Sequence, residues 1–291
     1  MATEIGTRTT VAVNDQTQIC VEAIGHRDDP ALLLIGAATW SMDWWEDDLC
    51  RLLADRGRLV VRYDNRDTGR STSYPPGSPG YSTADQVTDA VALLDALGID
   101  RAHVIGLSMG GWIAQRLALE QRDRLATLTL ISTTPIDPGI KGLPGMAAEV
   151  EATFSDEDTE PDWADRDAVV DYIAEGERPY AGPGNFDERR LRALAARVFD
   201  RTNDIAASMA NHFILDDGAP ADTRLGQLRG LPTLVLHGTA DPMFPPAHGS
   251  ALANAIPGAR LIELDDVGHQ LPPPHTWKLL VDTLIEHTRE T

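Results

Sequence analysis

The stretch of this 291-residue sequence best suited to chemistry is Gly106-Leu107-Ser108-Met109-Gly110. It follows the apolar run Ala102-His103-Val104-Ile105 and opens a helix-compatible segment, so it reads as a tight turn from strand to helix. The glycines remove side chains that would crowd such a turn. The Ser108 hydroxyl then stands above the strand end, and the Met109 amide points to where an oxyanion would form. A serine hydroxyl is a weak nucleophile and needs a base held by an acid. Downstream, the run 232–237 leads into Gly238-Thr239-Ala240-Asp241-Pro242, and the run 260–264 leads into Asp265-Asp266-Val267-Gly268-His269. A nucleophile, an acid and an imidazole thus follow in the order Ser108, Asp241, His269. Each lies just past the carboxyl end of a strand, where open α/β sheets build their sites.

Each of these residues has a plainer alternative. Asp241 before Pro242 also suits the start of a helix, and Asp137, after the run 125–132, is a second candidate for the acid. His269 competes with seven other histidines, among them His248, His275 (a helix-start residue after three prolines) and His237, which sits inside a strand end. The charged run 62–71 reads as structural: Asp64, Arg66 and Asp67 tie a loop through ion pairs and backbone bonds, and Gly69 supplies its turn.

The elements that must position these groups are visible as a change of period. Strand-like runs at 9–13, 17–24 and 31–35 come first, the last continuously apolar as in a strand buried on both faces. Strand and helix then alternate: strands at 58–63, 102–107, 125–132, 232–237 and 260–264, helices at 83–97, 110–119 and 277–287. A hairpin followed by such alternation predicts an α/β fold with a mostly parallel, eight-stranded sheet flanked by helices. Between about 135 and 230 the alternation stops. Only helical patterns appear there, such as 167–175 and 188–199, and residues 149–177 carry twelve Asp or Glu against one Arg. We therefore expect a core of residues 1–138 and 227–291, with 139–226 inserted as a helical cap whose acidic stretch faces solvent.

Composition narrows the function classes. Lys and Arg total 25 against 45 Asp and Glu, a net charge of −20, so phosphate backbones and anionic membranes are poor partners. Cys20 and Cys50 show no ligand or disulfide-framework spacing and read as buried thiols. The first residues have neither a basic start nor an apolar run, and no window is apolar enough for a membrane span, so a cytoplasmic protein is expected. No cofactor or metal is called for. The oligomeric state is not legible.

In its motifs the chain resembles α/β-hydrolase-fold serine hydrolases over nearly its full length, and among them the aclacinomycin methylesterase group. The resemblance rests on Leu32-Leu33-Leu34-Ile35-Gly36, on Arg62-Tyr63-Asp64-Asn65-Arg66-Asp67-Thr68-Gly69-Arg70-Ser71, on the Ser108 motif and on Gly268-His269. It implies that Ser108, Asp241 and His269 form a catalytic triad. It further implies an oxyanion hole made by the amides of Met109 and of Ala37, which stands where the family has glycine. The expected activity is hydrolysis of a small or polycyclic apolar carboxylic ester through an acyl-enzyme. Lactones, amides, C–C bonds and perhydrolysis are alternatives served by the same three groups, and a binding protein without turnover is a further one. Serine rather than aspartate at position 108 argues against a dehalogenase or epoxide hydrolase. Aromatic residues near the site (Trp40, Trp112 and, from the cap, Trp163 and Phe213) are candidates to wall a pocket.

Overall fold

The computed structural model describes residues 6–154, 160–219 and 221–289. Eight strands form one sheet: β1 (Thr7–Ala12), β2 (Gln18–Ile24), β3 (Ala31–Ile35), β4 (Leu59–Tyr63), β5 (Ala102–Leu107), β6 (Leu125–Ile131), β7 (Thr233–Gly238) and β8 (Arg260–Leu264). Their order across the sheet is β1-β2-β4-β3-β5-β6-β7-β8. β2 pairs antiparallel with both β1 and β4, and every pairing from β4 to β8 is parallel. Parallel strands need crossovers that cover both faces of the sheet. Accordingly every residue of β3, β4, β5, β6 and β7 is buried.

The helices are α1 (Asp47–Ala54), α2 (Thr83–Leu97), α3 (Met109–Glu120), α4 (Ala148–Ala152), α5 (Arg166–Gly176), α6 (Glu188–Arg201), α7 (Ile205–Ala210), α8 (Ala247–Ala255) and α9 (Trp277–His287). α2 starts on a reciprocal Ser82–Asp85 capping box and ends at Gly98, whose φ of 68° continues no helix. Side chains of α2, α3 and α8 share one apolar cluster with Leu33, Val104 and Val235 of the sheet. Those of α1 and α9 share the other with Leu32, Ile105 and Leu234, the alternate residues of the same strands. Side chains of α5 and α6 belong to this second cluster, as do Trp40 and Trp44.

Between β6 and β7 the described residues hold α4 to α7 and no strand. Of the acidic stretch, residues 155–159 lie outside the described residues. Every other carboxylate between 149 and 177 is exposed except Glu177, which is half-buried. The interval is bolted to the core by buried charge. Arg201, the last residue of α6, donates to both Asp64 oxygens at 2.6 Å and to Asp43 at 2.6 Å. The run 62–71 supplies more such bonds: Arg66 is bidentate on Asp89 at 2.7 Å, Arg62 pairs with Glu22 and Asp47, and Asp67 accepts from Tyr81 and Asn211. α1 and α8 escape the sequence reading. α1 is barely two turns long, and α8 is built of small residues with little apolar contrast.

Candidate active site

Ser108 joins β5 to α3 with φ 53° and ψ −116°, a conformation rare for any residue with a side chain. The turn is possible only because its neighbours lack Cβ atoms. A Cβ on Gly106 would lie 2.2 Å from the Gly110 carbonyl oxygen, and one on Gly110 would lie 2.2 Å from that of Ile35. The backbone is held on both sides: the Ser108 amide donates to the Ile131 carbonyl at 3.0 Å, and the Thr133 hydroxyl donates to the Ser108 carbonyl at 2.8 Å.

His269, in the loop after β8, places Nε2 2.9 Å from the Ser108 hydroxyl and Nδ1 3.0 and 3.2 Å from the Asp241 oxygens. An ionised carboxylate only accepts, so Nδ1 carries the ring proton and Nε2 is left to accept from Ser108. Asp241 follows β7, and its Oδ1 also accepts from the amides of Met243 (3.0 Å) and Phe244 (2.8 Å). Burial alone would raise the Asp241 carboxyl. The attraction and hydrogen bond of His269, with the Phe244 amide, outweigh it and hold the group below the usual carboxylate range. All three side chains are buried, Ser108 at 9% and His269 at 8% exposure, so the line of hydrogen bonds is shielded from bulk water.

Met109 is the first residue of α3, so its amide has no carbonyl one turn earlier to bond. Among the described residues, the buried Ala37 amide likewise shows no protein acceptor. Ala37 follows β3, next to β5 in the sheet. Asp137, the other candidate acid, is spent elsewhere: it accepts from the amides of Gly139 (2.8 Å) and Leu225 (3.3 Å). His248 ties Thr134 to the Pro144 carbonyl, and His275 is exposed. His237 donates to the Phe244 carbonyl at 2.7 Å and so steadies the turn that grips Asp241. No group of three or more His, Cys, Asp or Glu side chains among the described residues is placed to hold a metal ion.

The sequence of residues 30–275 matches the profile of the alpha/beta hydrolase fold family. This chain belongs to the α/β-hydrolase family. It is 32% identical over 282 residues to rhodomycin D methylesterase DauP of Streptomyces sp. strain C5, covering 91% of this chain and 93% of that protein. It is also 32% identical over 285 residues to rhodomycin D methylesterase DnrP of Streptomyces peucetius, with the same coverage. Among solved structures, an enol-lactonase from Burkholderia xenovorans LB400 superposes with a TM-score of 0.72 at 25% identity, covering 97% of this chain and all of that one. These relatives bear out the resemblance to α/β hydrolases and, among them, to the methylesterase group. Among the described residues no helix is long and apolar enough to cross a membrane.

The aromatic residues singled out from the sequence of this α/β hydrolase scatter. Trp40 stacks on Trp44 with ring centroids 4.9 Å apart, and both line a cavity of about 30 Å³ with Glu177, Arg190 and Leu271. Trp112 instead lies under Arg116 and lines a different cavity of about 270 Å³ with Ile136 and Asp217, packed with the α2–α3 cluster. None of Ser108, Asp241 and His269 lines that cavity. Trp163 meets Tyr172 edge-on and donates to Glu160, and Phe213, 52% exposed, meets Phe154 edge-on. The rings that do flank His269 are Phe244, edge-on at 5.3 Å, and Tyr180 at 6.2 Å. Phe244 could have been found from its place three residues after Asp241. Tyr180 could not, for its carbonyl reaches the His269 amide (2.8 Å) from 89 positions away in the chain.

Proposed function

We propose that this α/β hydrolase is a serine carboxylic ester hydrolase in which Ser108, His269 and Asp241 form the catalytic triad. The observation that carries the reading is the unbroken hydrogen-bond line from the strained Ser108 through both nitrogens of His269 to Asp241. Ser108 Oγ attacks the ester carbonyl while its proton passes to His269 Nε2. Asp241 keeps the imidazole in the right tautomer and offsets the charge it gains. The amides of Met109 and Ala37 receive the oxyanion, and the alcohol leaves with the proton from His269. A water molecule, deprotonated in turn by His269, then attacks the acyl-serine and releases the acid. Every proton is accounted for by these groups, so the reaction needs no cofactor or metal, and excess EDTA should leave the rate unchanged.

We further assign residues 139–226 as a cap on the core formed by 1–138 and 227–291. Contacts of Tyr180 and Arg201 with the site loop and the core support this. Flanked by Phe244 and Tyr180, the site suits a compact or flat apolar ester, and the 32% identity to rhodomycin D methylesterases favours a methyl ester. The −20 charge disfavours polyanionic substrates. A lactone is the second reading, favoured by the likeness to an enol-lactonase, since the same attack opens a cyclic ester. Steady-state rates on matched methyl esters, lactones, amides and triglycerides test the proposal. Methyl esters should lead; a lactone turned over at least tenfold faster would move the assignment to the second reading, and an amide would overturn both. Cap substitutions such as Trp163→Ala or Phe213→Ala should shift that ranking while Ser108 still reacts with a small phosphonate; an unchanged ranking contradicts the cap.

A further inference from the structure

We propose that His212 is a positioning residue: carried on the segment assigned as the cap, it sets the loop after β3 so that the Ala37 amide meets the oxyanion. The inference rests on the triad and oxyanion hole proposed above and extends them to a residue outside the site's own elements. Its basis is the turn Ala37–Trp40, closed by the Trp40 amide donating to the Ala37 carbonyl at 3.3 Å. The third residue of this turn is Thr39 at φ 66°. A β-branched residue avoids the left-handed region, so the turn does not hold this shape through local preference and must be held from outside.

Two buried side chains from beyond α6 do so, one on each side of the Thr39 backbone. The Thr39 amide donates to His212 Nδ1 at 2.9 Å, and the Ser208 hydroxyl donates to the Thr39 carbonyl at 3.2 Å. His212 is itself fixed in the core by Nε2, 2.9 Å from the Arg66 carbonyl. An imidazole that accepts at Nδ1 must carry its proton at Nε2, so both bonds are made at once only by the neutral Nε2–H tautomer. Burial, the largest influence, pushes the His212 imidazole below its ordinary value and keeps it neutral. The ring therefore works as a rigid spacer between the Arg66 carbonyl, on the loop after β4, and the turn that begins at Ala37. Oxyanion donors lose their worth when displaced by an ångström or less, so the consequence falls on the transition state more than on substrate binding.

The two amide side chains separate the two ring nitrogens. Asn places an oxygen where Nδ1 stands, and Gln places its terminal amide where Nε2 stands. His212→Asn therefore keeps an acceptor for Thr39, whereas His212→Gln keeps the bond to Arg66 and loses the turn. We expect His212→Gln to lower kcat about 10- to 100-fold with KM changed less than about threefold, and His212→Asn to restore kcat to within about threefold of wild type. A purely structural histidine predicts the reverse or no split, because Gln retains the anchoring bond. Equal kcat for His212→Gln and wild type, or equal losses in the two variants, overturns the inference. Should His212→Gln not fold, Ser208→Ala removes a single hydroxyl from the same residue of the turn. It should lower kcat about three- to tenfold at unchanged KM, and a wild-type kcat there likewise overturns the inference. Ser108→Ala assayed alongside keeps the two claims apart. If it is inactive while His212→Gln matches wild type, only the positioning role fails; if it remains active, the triad fails and the positioning role with it.

Discussion

Arg201→Met cuts the charged bolt between α6 and the sheet, and its cost can be worked from the bonds it removes. The guanidinium makes three hydrogen bonds of 2.6 Å, two to Asp64 and one to Asp43, and those carboxylates are 0% and 2% exposed. Methionine fills the volume of the stem but leaves two carboxylates buried without their main cation. What remains is the Met42 and Arg70 amides on Asp64, the Ser41 hydroxyl on Asp43 and Arg8 at 3.7 Å from Asp43. Removing one partner from a buried pair costs about 3–5 kcal/mol, chiefly because the surviving charge stays desolvated. Against a typical total of about 5–15 kcal/mol this is a large fraction. Urea titration followed by tryptophan fluorescence should show the loss as a lower midpoint at unchanged slope. Adding Asp64→Asn should recover at least about 1 kcal/mol, since it removes one stranded charge and keeps an acceptor for one of the two amides, Met42 or Arg70, that bond to different Asp64 oxygens. A loss below about 1 kcal/mol for Arg201→Met, or a further loss on adding Asp64→Asn, would refute the argument.

Three other outcomes follow from individual groups. Asp241→Asn should lower kcat by about 10⁴-fold with folding intact, because an amide can donate to Nδ1 and favour the wrong tautomer; stopped assays with a circular dichroism control check this. Buried His103 is pushed down to about 4, first by desolvation and then by nearby cations including Arg58. The unfolded chain therefore binds the proton first on acidification. The stability tied to His103 is full above about pH 6.5 and lost as pH falls toward 4, about 2–3 kcal/mol by pH 4.5, and His103→Asn should flatten that part of a stability–pH curve. Burial, the largest influence, pushes the Cys20 thiol up to about 11 and the Cys50 thiol up to about 12, so neither should react with a disulfide reagent at pH 8 until urea unfolds the chain.

What the sequence reveals and what it hides follow physical lines. β3 to β7 are buried on both faces and so write themselves as largely apolar runs, β3 without a break. The edge strand β1 is mostly exposed and lies at 7–12 rather than at 9–13. Ser108, Asp241 and His269 are legible because a parallel sheet delivers every strand end to the same side, so side-chain type and place after a strand suffice. Trp112, four residues after Ser108, lines a cavity that none of Ser108, Asp241 and His269 lines. The contacts that bind α6 and the residues after it to the core are invisible beforehand. Arg201 finds Asp64 across 137 positions and His212 finds Thr39 across 173, and no local period encodes such pairs.

The central claim is that Ser108 is the nucleophile, and covalent labelling tests it most directly. The folded protein should be treated with a fluorophosphonate, its intact mass measured and the modified peptide sequenced, with Ser108→Ala and His269→Ala alongside. The account predicts one phosphonyl group per chain, on Ser108, with ester hydrolysis lost in step. Ser108→Ala should take no label, and His269→Ala should label far more slowly. Hydrolysis that persists in fully labelled protein, or in Ser108→Ala at a tenth of the wild-type rate, would contradict it.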